Sequence, residues 1–151
     1  MLLQPAMSKV FIASDHAGFA LKNALIKYIR TLGYEVEDRG ARTLDPNDDY
    51  PDFVTACARA VASDATARGI VIGKSGEGEA MCANRIAGAR AAVFYGGSPE
   101  IIQLVREHNN ANILSLGAAF LTSEEANVVV KQFLETPFSD SPRHARRLAK
   151  F

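Results

Sequence analysis

Short apolar runs alternate with segments of helical period from one end of this chain to the other, and that alternation constrains the fold more than any motif does. KVFIASD (9–15), YEVEDRG (34–40), RGIVIG (68–73), ARAAVFYG (89–96) and NILSLGA (112–118) read as strands. Between them lie helical patterns over 17–33, 52–65, a short one to about residue 86, 98–110 and 122–136. A final basic helix reads over 141–151. In the first helix, Leu21, Leu25, Tyr28, Ile29 and Leu32 make the apolar stripe, and Gly33 fits a C-terminal cap. Ser98 with Pro99, and the Thr122-x-x-Glu125 capping box, mark two helix starts. Five strands alternating with helices predict an α/β fold: a three-layer, Rossmann-like (flavodoxin-like) five-stranded parallel sheet with helices on both faces.

At 151 residues the chain is one domain by length, here 9–151, preceded by an extension over 1–8 that the sequence predicts to be flexible. Seventeen basic residues balance seventeen acidic ones, so no overall field recruits nucleic acid or an anionic membrane. No apolar run approaches the roughly 20 residues of a membrane span. The start, MLLQPAMSK, lacks the basic region of a secretory signal, and Cys57 and Cys82 form neither a disulfide framework nor a zinc spacing. Both cysteines lie in alanine-rich helical patterns and read as small buried hydrophobes. These features lead us to expect a cytoplasmic protein.

Ligands of open parallel sheets bind beyond the carboxyl ends of the strands, near the switch in strand order. The residues leaving the first, third and fifth strands are Asp15–His16, the Gly73–Glu79 loop and Gly117–Ala119, and His108–Asn109 is a further candidate. GIVIGKSGEGEAMCAN (69–84) carries the densest signal. Its glycines fit neither a dinucleotide fingerprint, because Met81 stands where the third glycine belongs, nor a Walker loop, because Lys74 precedes the glycines. Glu77 and Glu79 are explicable as first-turn acids complementing a helix dipole, though that leaves the glycines unexplained. Amides converging on one point with a carboxylate at the rim suit an enediolate: the amides hold the oxyanion and the carboxylate moves a proton between adjacent carbons.

The other candidates have structural readings beside functional ones. Asp15 fits a helix N-cap as well as a cleft residue, and His108 suits a helix C-terminus. His16, His108 and His144 are scattered without zinc-helix spacing, so no metal site is expected. Arg143 and Arg147, at i and i+4, lie on one helical face and could clamp a phosphate; the competing reading is a solvated basic helix end.

SDHAGFALK, DDYPDF, GKSGEGEAMCANR, REHNNANILSLG and RHARR, in this order, resemble the type B ribose-5-phosphate isomerases and their galactose-6-phosphate and allose-6-phosphate relatives, over about Lys9 to Phe151. The resemblance implies an aldose–ketose isomerase that works through a cis-enediolate without metal or cofactor, with ribose 5-phosphate and ribulose 5-phosphate as the substrate pair. It implies a homodimer, or dimers paired into tetramers, with sites at the subunit interface. It assigns Asp15 and His16 to ring opening and substrate contact, and Ser75, Gly76, Glu77, Gly78 and Glu79 to the amide loop. His108 and Asn109 would contact the sugar, and Arg143 and Arg147 its phosphate. Some members carry a cysteine base where this chain has Gly73, and another branch a glutamate where it has Glu79, so Glu79 is the implied base and Cys82 is not. Two positions depart from the family pattern: Ala119 replaces a frequent phosphate-binding arginine, and Lys74 replaces a frequent glycine. The alternatives are an isomerase of a four- or six-carbon sugar phosphate, a binding protein that has lost turnover, and a flavin or nucleotide binder.

Overall fold

A computed structural model describes residues 9–151; the extension over 1–8 lies outside the described residues. The strands are β1 (Val10–Ser14), β2 (Val36–Asp38), β3 (Arg68–Gly73), β4 (Ala91–Phe94) and β5 (Ile113–Gly117). The helices are α1 (Phe19–Thr31), α2 (Tyr50–Ala62), α3 (Glu77–Ala83), α4 (Glu100–Glu107), α5 (Ser123–Glu135) and α6 (Pro142–Leu148). All strand pairs are parallel, in the order β2-β1-β3-β5-β4. The expected α/β sheet is therefore present, but its last two strands are exchanged relative to the flavodoxin order 2-1-3-4-5.

Two apolar layers sandwich the sheet. Leu25 and Ile29 of α1, Ile102 of α4, and Val130 and Phe133 of α5 pack on one face with Ile12, Ile70 and Leu114. Val54, Cys57 and Val61 of α2 and Ala83 of α3 pack on the other with Phe11, Val71 and Ile113. Apart from the half-buried Arg68 that opens β3, the central strands are buried, which is why they read as continuous apolar runs rather than alternating ones. Among the described residues no helix is long and apolar enough to cross a membrane.

Several local expectations hold. Gly33 follows α1 at φ 94°, the left-handed cap position. Thr122 caps α5, its hydroxyl accepting the Glu125 N–H at 3.1 Å. Others shift. α4 begins at Glu100 with Pro99 as its cap, although Ser98 Oγ accepts the Glu100 N–H at 3.3 Å. Cys57 is buried, whereas Cys82 is half-buried beside Thr55. The α1 stripe also differs: Tyr28 and Leu32 are only half-buried, while Ile26 and Lys22 are buried with Leu21, Leu25 and Ile29.

Lys22 explains how the chain leaves β2. Its fully buried ammonium meets both Asp38 oxygens at 2.9 and 2.8 Å and also donates to the Ala41 carbonyl. Asp38 in turn accepts the Gly40 N–H at 2.8 Å, and Ser14 N–H donates to Gly40 O at 2.8 Å. The β2–α2 loop is thereby fixed to the carboxyl end of β1. Lys22→Met is expected to destabilise the fold by about 2–3 kcal/mol, below the full cost of orphaning a buried ion because Asp38 is a quarter exposed. Chemical denaturation of both proteins checks this.

Candidate active site

The switch in strand order falls between β1 and β3. The chain runs outward from β1 to β2 on one side and resumes at β3 on the other, the arrangement in which the two connecting loops of an open parallel sheet diverge and leave a crevice. Asp15 closes β1 and caps the 3-10 turn His16–Gly18, its carboxylate accepting the Ala17 N–H at 3.0 Å. It is both the cap and a buried acid at the strand end.

Across the crevice, β3 ends at Gly73 and α3 begins at Glu77. Gly76 takes φ 84°, a left-handed turn that glycine makes without strain, and Ser115 Oγ holds its carbonyl at 2.6 Å from below. The Glu77 N–H is taken by Ser75 Oγ at 3.2 Å and the Ala80 N–H by Gly76 O at 3.0 Å. The Gly78 N–H sits in the first turn of α3, where no intrahelical partner exists. Ser75 is half-buried and Glu77 exposed, so the two glutamates of the loop have different fates.

Glu79 turns inward and is 4% exposed. Its carboxylate lies against the Cα of Gly73, where any Cβ would overlap it outright. Glycine at 73 and a carboxylate from 79 thus fill one space between them. Burial pushes the Glu79 carboxyl above the ordinary glutamate range, and the charge of Asp15 adds to this, while the backbone amides of Glu79 and Gly76 pull the other way. A carboxylate that is buried, raised and set among amides can accept a proton from carbon and return it.

Two residues with no role assigned from sequence complete this end. Tyr50, at the start of α2, places its hydroxyl against Gly78, 2.5 Å from where a Cβ would stand. Asp48 accepts from His16 Nδ1 at 2.6 Å. Both sit in DDYPDF, one of the five segments that carry the family resemblance, but the sequence attaches no role to either side chain there. Asp15, His16 and Asp48 bring three possible ligand atoms within 4.8 Å of one another. Within the trio the Nδ1 of His16 is engaged by one Asp48 oxygen, which couples the two side chains.

Within one chain the remaining site residues are elsewhere. His108 caps the C-terminus of α4, which runs back from the end of β4 to the beginning of β5. Its ring stacks on His144 of α6 at 4.3 Å, and Ser139 N–H donates to Glu107 O at 3.2 Å, tying the tail to the same end. Arg143 and Arg147 on α6 are exposed and form no ion pair among the described residues. A five-residue strand, β5, spans roughly 16 Å between that end and the crevice. Within one chain the candidate residues therefore form two clusters, one at the carboxyl ends of the strands and one, with His108–Asn109, at the end where β5 begins.

This crevice, with its glycine loop and inward glutamate, defines the class of protein. A family model described as Ribose/Galactose Isomerase matches residues 10–151, and the chain belongs to that family. It is 44% identical to the ribose-5-phosphate isomerase B of Mycolicibacterium paratuberculosis over 93% of this chain and 87% of that protein. It is 34% identical to the ribose-5-phosphate isomerase B of Escherichia coli over 94% and 93% of the two chains. Among solved structures, ribose-5-phosphate isomerase B from Mycoplasma genitalium with bound ribulose-5-phosphate matches with a TM-score of 0.90, at 39% identity, over 96% of this chain and 95% of that one.

Proposed function

We propose that this chain is an aldose–ketose isomerase of small sugar phosphates, converting D-ribose 5-phosphate to D-ribulose 5-phosphate through a cis-enediolate. The observation that carries the reading is the Glu79 carboxylate, buried against Gly73 at the mouth of an amide loop. Glu79 takes the proton from C2 of the open-chain aldose and delivers it to C1, while the amides of the Ser75–Glu79 loop hold the charge on the intermediate's oxygens. Ser75, Gly76, Glu77 and Gly78 form that cradle, and Asp15 and His16 face the sugar from the β1 end. His108 and Asn109 contact the sugar and Arg143 and Arg147 its phosphate, from a second copy of the chain. A dimer, or a pair of dimers, with sites at the subunit boundary supplies both clusters. No step calls for a metal or an organic cofactor.

Ala119 favours a second reading, an isomerase of a four- or six-carbon sugar phosphate. Its N–H donates to Lys74 O at 3.1 Å, so position 119 borders the catalytic loop, and both side chains are exposed there. An arginine at 119 would add a charge-assisted bond to phosphate, worth roughly 1.5–3 kcal/mol. Steady-state rates on C4, C5 and C6 aldose phosphates, for wild type and Ala119→Arg, test both readings. With ribose 5-phosphate as substrate, the variant is expected to have a KM about tenfold lower and little change in kcat, because the phosphate is remote from the reacting carbons. If the arginine instead impairs the best substrate while ribose 5-phosphate stays poor, the second reading replaces the first.

A further inference from the structure

The β2–α2 loop carries a carboxylate that the proposed reaction leaves without a task. Asp48 accepts two hydrogen bonds at one oxygen, from the His16 backbone N–H at 3.1 Å and from His16 Nδ1 at 2.6 Å. Its side chain is 8% exposed in a loop whose other residues are largely open to solvent. Its second oxygen is buried and meets no donor among the described residues. Holding a charged, half-satisfied carboxylate out of water is costly, and capping the His16 N–H does not require it. An asparagine would accept that bond equally well. What asparagine cannot do is bind an imidazole N–H as an unambiguous acceptor bearing charge.

We infer that Asp48 is a positioning residue for the isomerase reaction: by gripping Nδ1 it fixes the rotamer and tautomer of His16, so that Nε2 is the ring atom offered to the sugar. The inference rests on the aldose–ketose isomerase reading for its substrate, though not for its geometry. With Nδ1–H donated to Asp48, a neutral His16 can only accept at Nε2, and a protonated one can only donate there. The loop is held for this purpose by the Lys22–Asp38–Ala41 contacts, and Tyr50 follows two residues later against the glycine loop.

The charge state follows from the same contacts. The hydrogen bond to Asp48 holds the His16 imidazole above the ordinary histidine range, and Asp15 at the end of β1 and Asp45 in the loop act in the same direction, against partial desolvation. Asp15 lies 4.0 Å from Nδ1 and is shared with Glu79, whose own pKa it raises. His16 therefore stays protonated to a higher pH than a free histidine, and that margin shrinks when Asp48 is neutralised.

Nitrogen-15 NMR of histidine-labelled wild type and Asp48→Asn, recorded through a pH titration, reads tautomer and pKa without any substrate. The wild type is expected to show His16 with Nδ1 protonated and Nε2 bare at high pH. Asp48→Asn should give a mixed tautomer and a lower His16 pKa. A mixed tautomer in the wild type overturns the inference, even if the variant fails to fold. Steady-state kinetics supply the second arm, with His16→Ala and His16→Ala/Asp48→Asn beside the single variant. Asp48→Asn is expected to cut kcat about 10- to 100-fold, the scale for removing the partner that orients a functional histidine, and to have no further effect once His16 is alanine. A loss that persists undiminished in the His16→Ala background overturns the positioning role and leaves Asp48 a loop latch. If no sugar phosphate is turned over by the wild type, the isomerase reading fails, and the NMR result alone decides whether Asp48 sets the His16 tautomer.

Discussion

Replacing Glu79 with glutamine is expected to leave binding of ribose 5-phosphate close to wild type and to cut turnover about 10²–10⁴-fold, the usual cost of losing a placed general base. The amide fills the same space against Gly73 but cannot take a proton from carbon. Cys82→Ala is expected to be nearly silent, since Cys82 is half-buried and its Sγ faces Thr55 Oγ1 at 3.4 Å. Gly73→Ala makes a complementary test: the added methyl overlaps the Glu79 carboxylate and must displace it, so turnover should fall with Glu79 still present. The pH profile carries the same signature. A Glu79 that serves as the base must be ionised to act, so on this reading the rate falls as pH falls through its pKa. Because burial and Asp15 raise that pKa, the acid limb should lie above the ordinary value of 4.5. Steady-state constants from pH 4 to 9 for the three variants measure all of this. Activity that survives Glu79→Gln and disappears in Cys82→Ala would transfer the base to the cysteine.

The sequence was informative wherever a signal is local. β3 runs over Arg68–Gly73 as its apolar run predicts, because after the half-buried Arg68 five buried residues continue unbroken to Gly73. β2 is shorter than its alternating pattern, three residues instead of seven, because it pairs on one side only and its Asp38 is drawn to Lys22. Lys22 itself could not be read: a lysine inside an amphipathic helix is ordinarily solvent-facing, and what buries it is a carboxylate 16 residues away. Asp48 is hidden for the same reason, since its partner lies 32 residues back in the chain. Strand order beyond the first crossover was also illegible, because β5 can lie on either side of β4 without changing the alternation. Five ordered motifs name candidate site residues, but a motif does not say at which edge of the sheet it ends up.

That last ambiguity yields the other large expected effect. The crevice holds Asp15, Ser75 and Glu79, while His108, Arg143 and Arg147 occupy the opposite edge of the same sheet. If each site joins the crevice of one copy to the tail of another, the Glu79→Gln chain and the Arg143→Ala/Arg147→Ala chain should each form a nearly inactive homodimer. Co-expressed and assembled at random, half of the dimers pair one chain of each kind. Such a dimer has one site with both halves damaged and one site with both halves intact, because the intact crevice comes from the arginine variant and the intact tail from the glutamine variant. Activity should therefore return to about a quarter of wild type, a figure that follows from closed two-fold pairing alone. A site contained within a single chain predicts no recovery, since every chain in the mixture carries a lesion. Size-exclusion chromatography with light scattering fixes the assembly state of each preparation, and differently tagged chains allow the mixed dimer to be isolated and assayed directly. A mixed dimer as inactive as its parents would confine the site to one crevice. Arg143 and Arg147 would then be the solvated basic helix end that their exposure also permits.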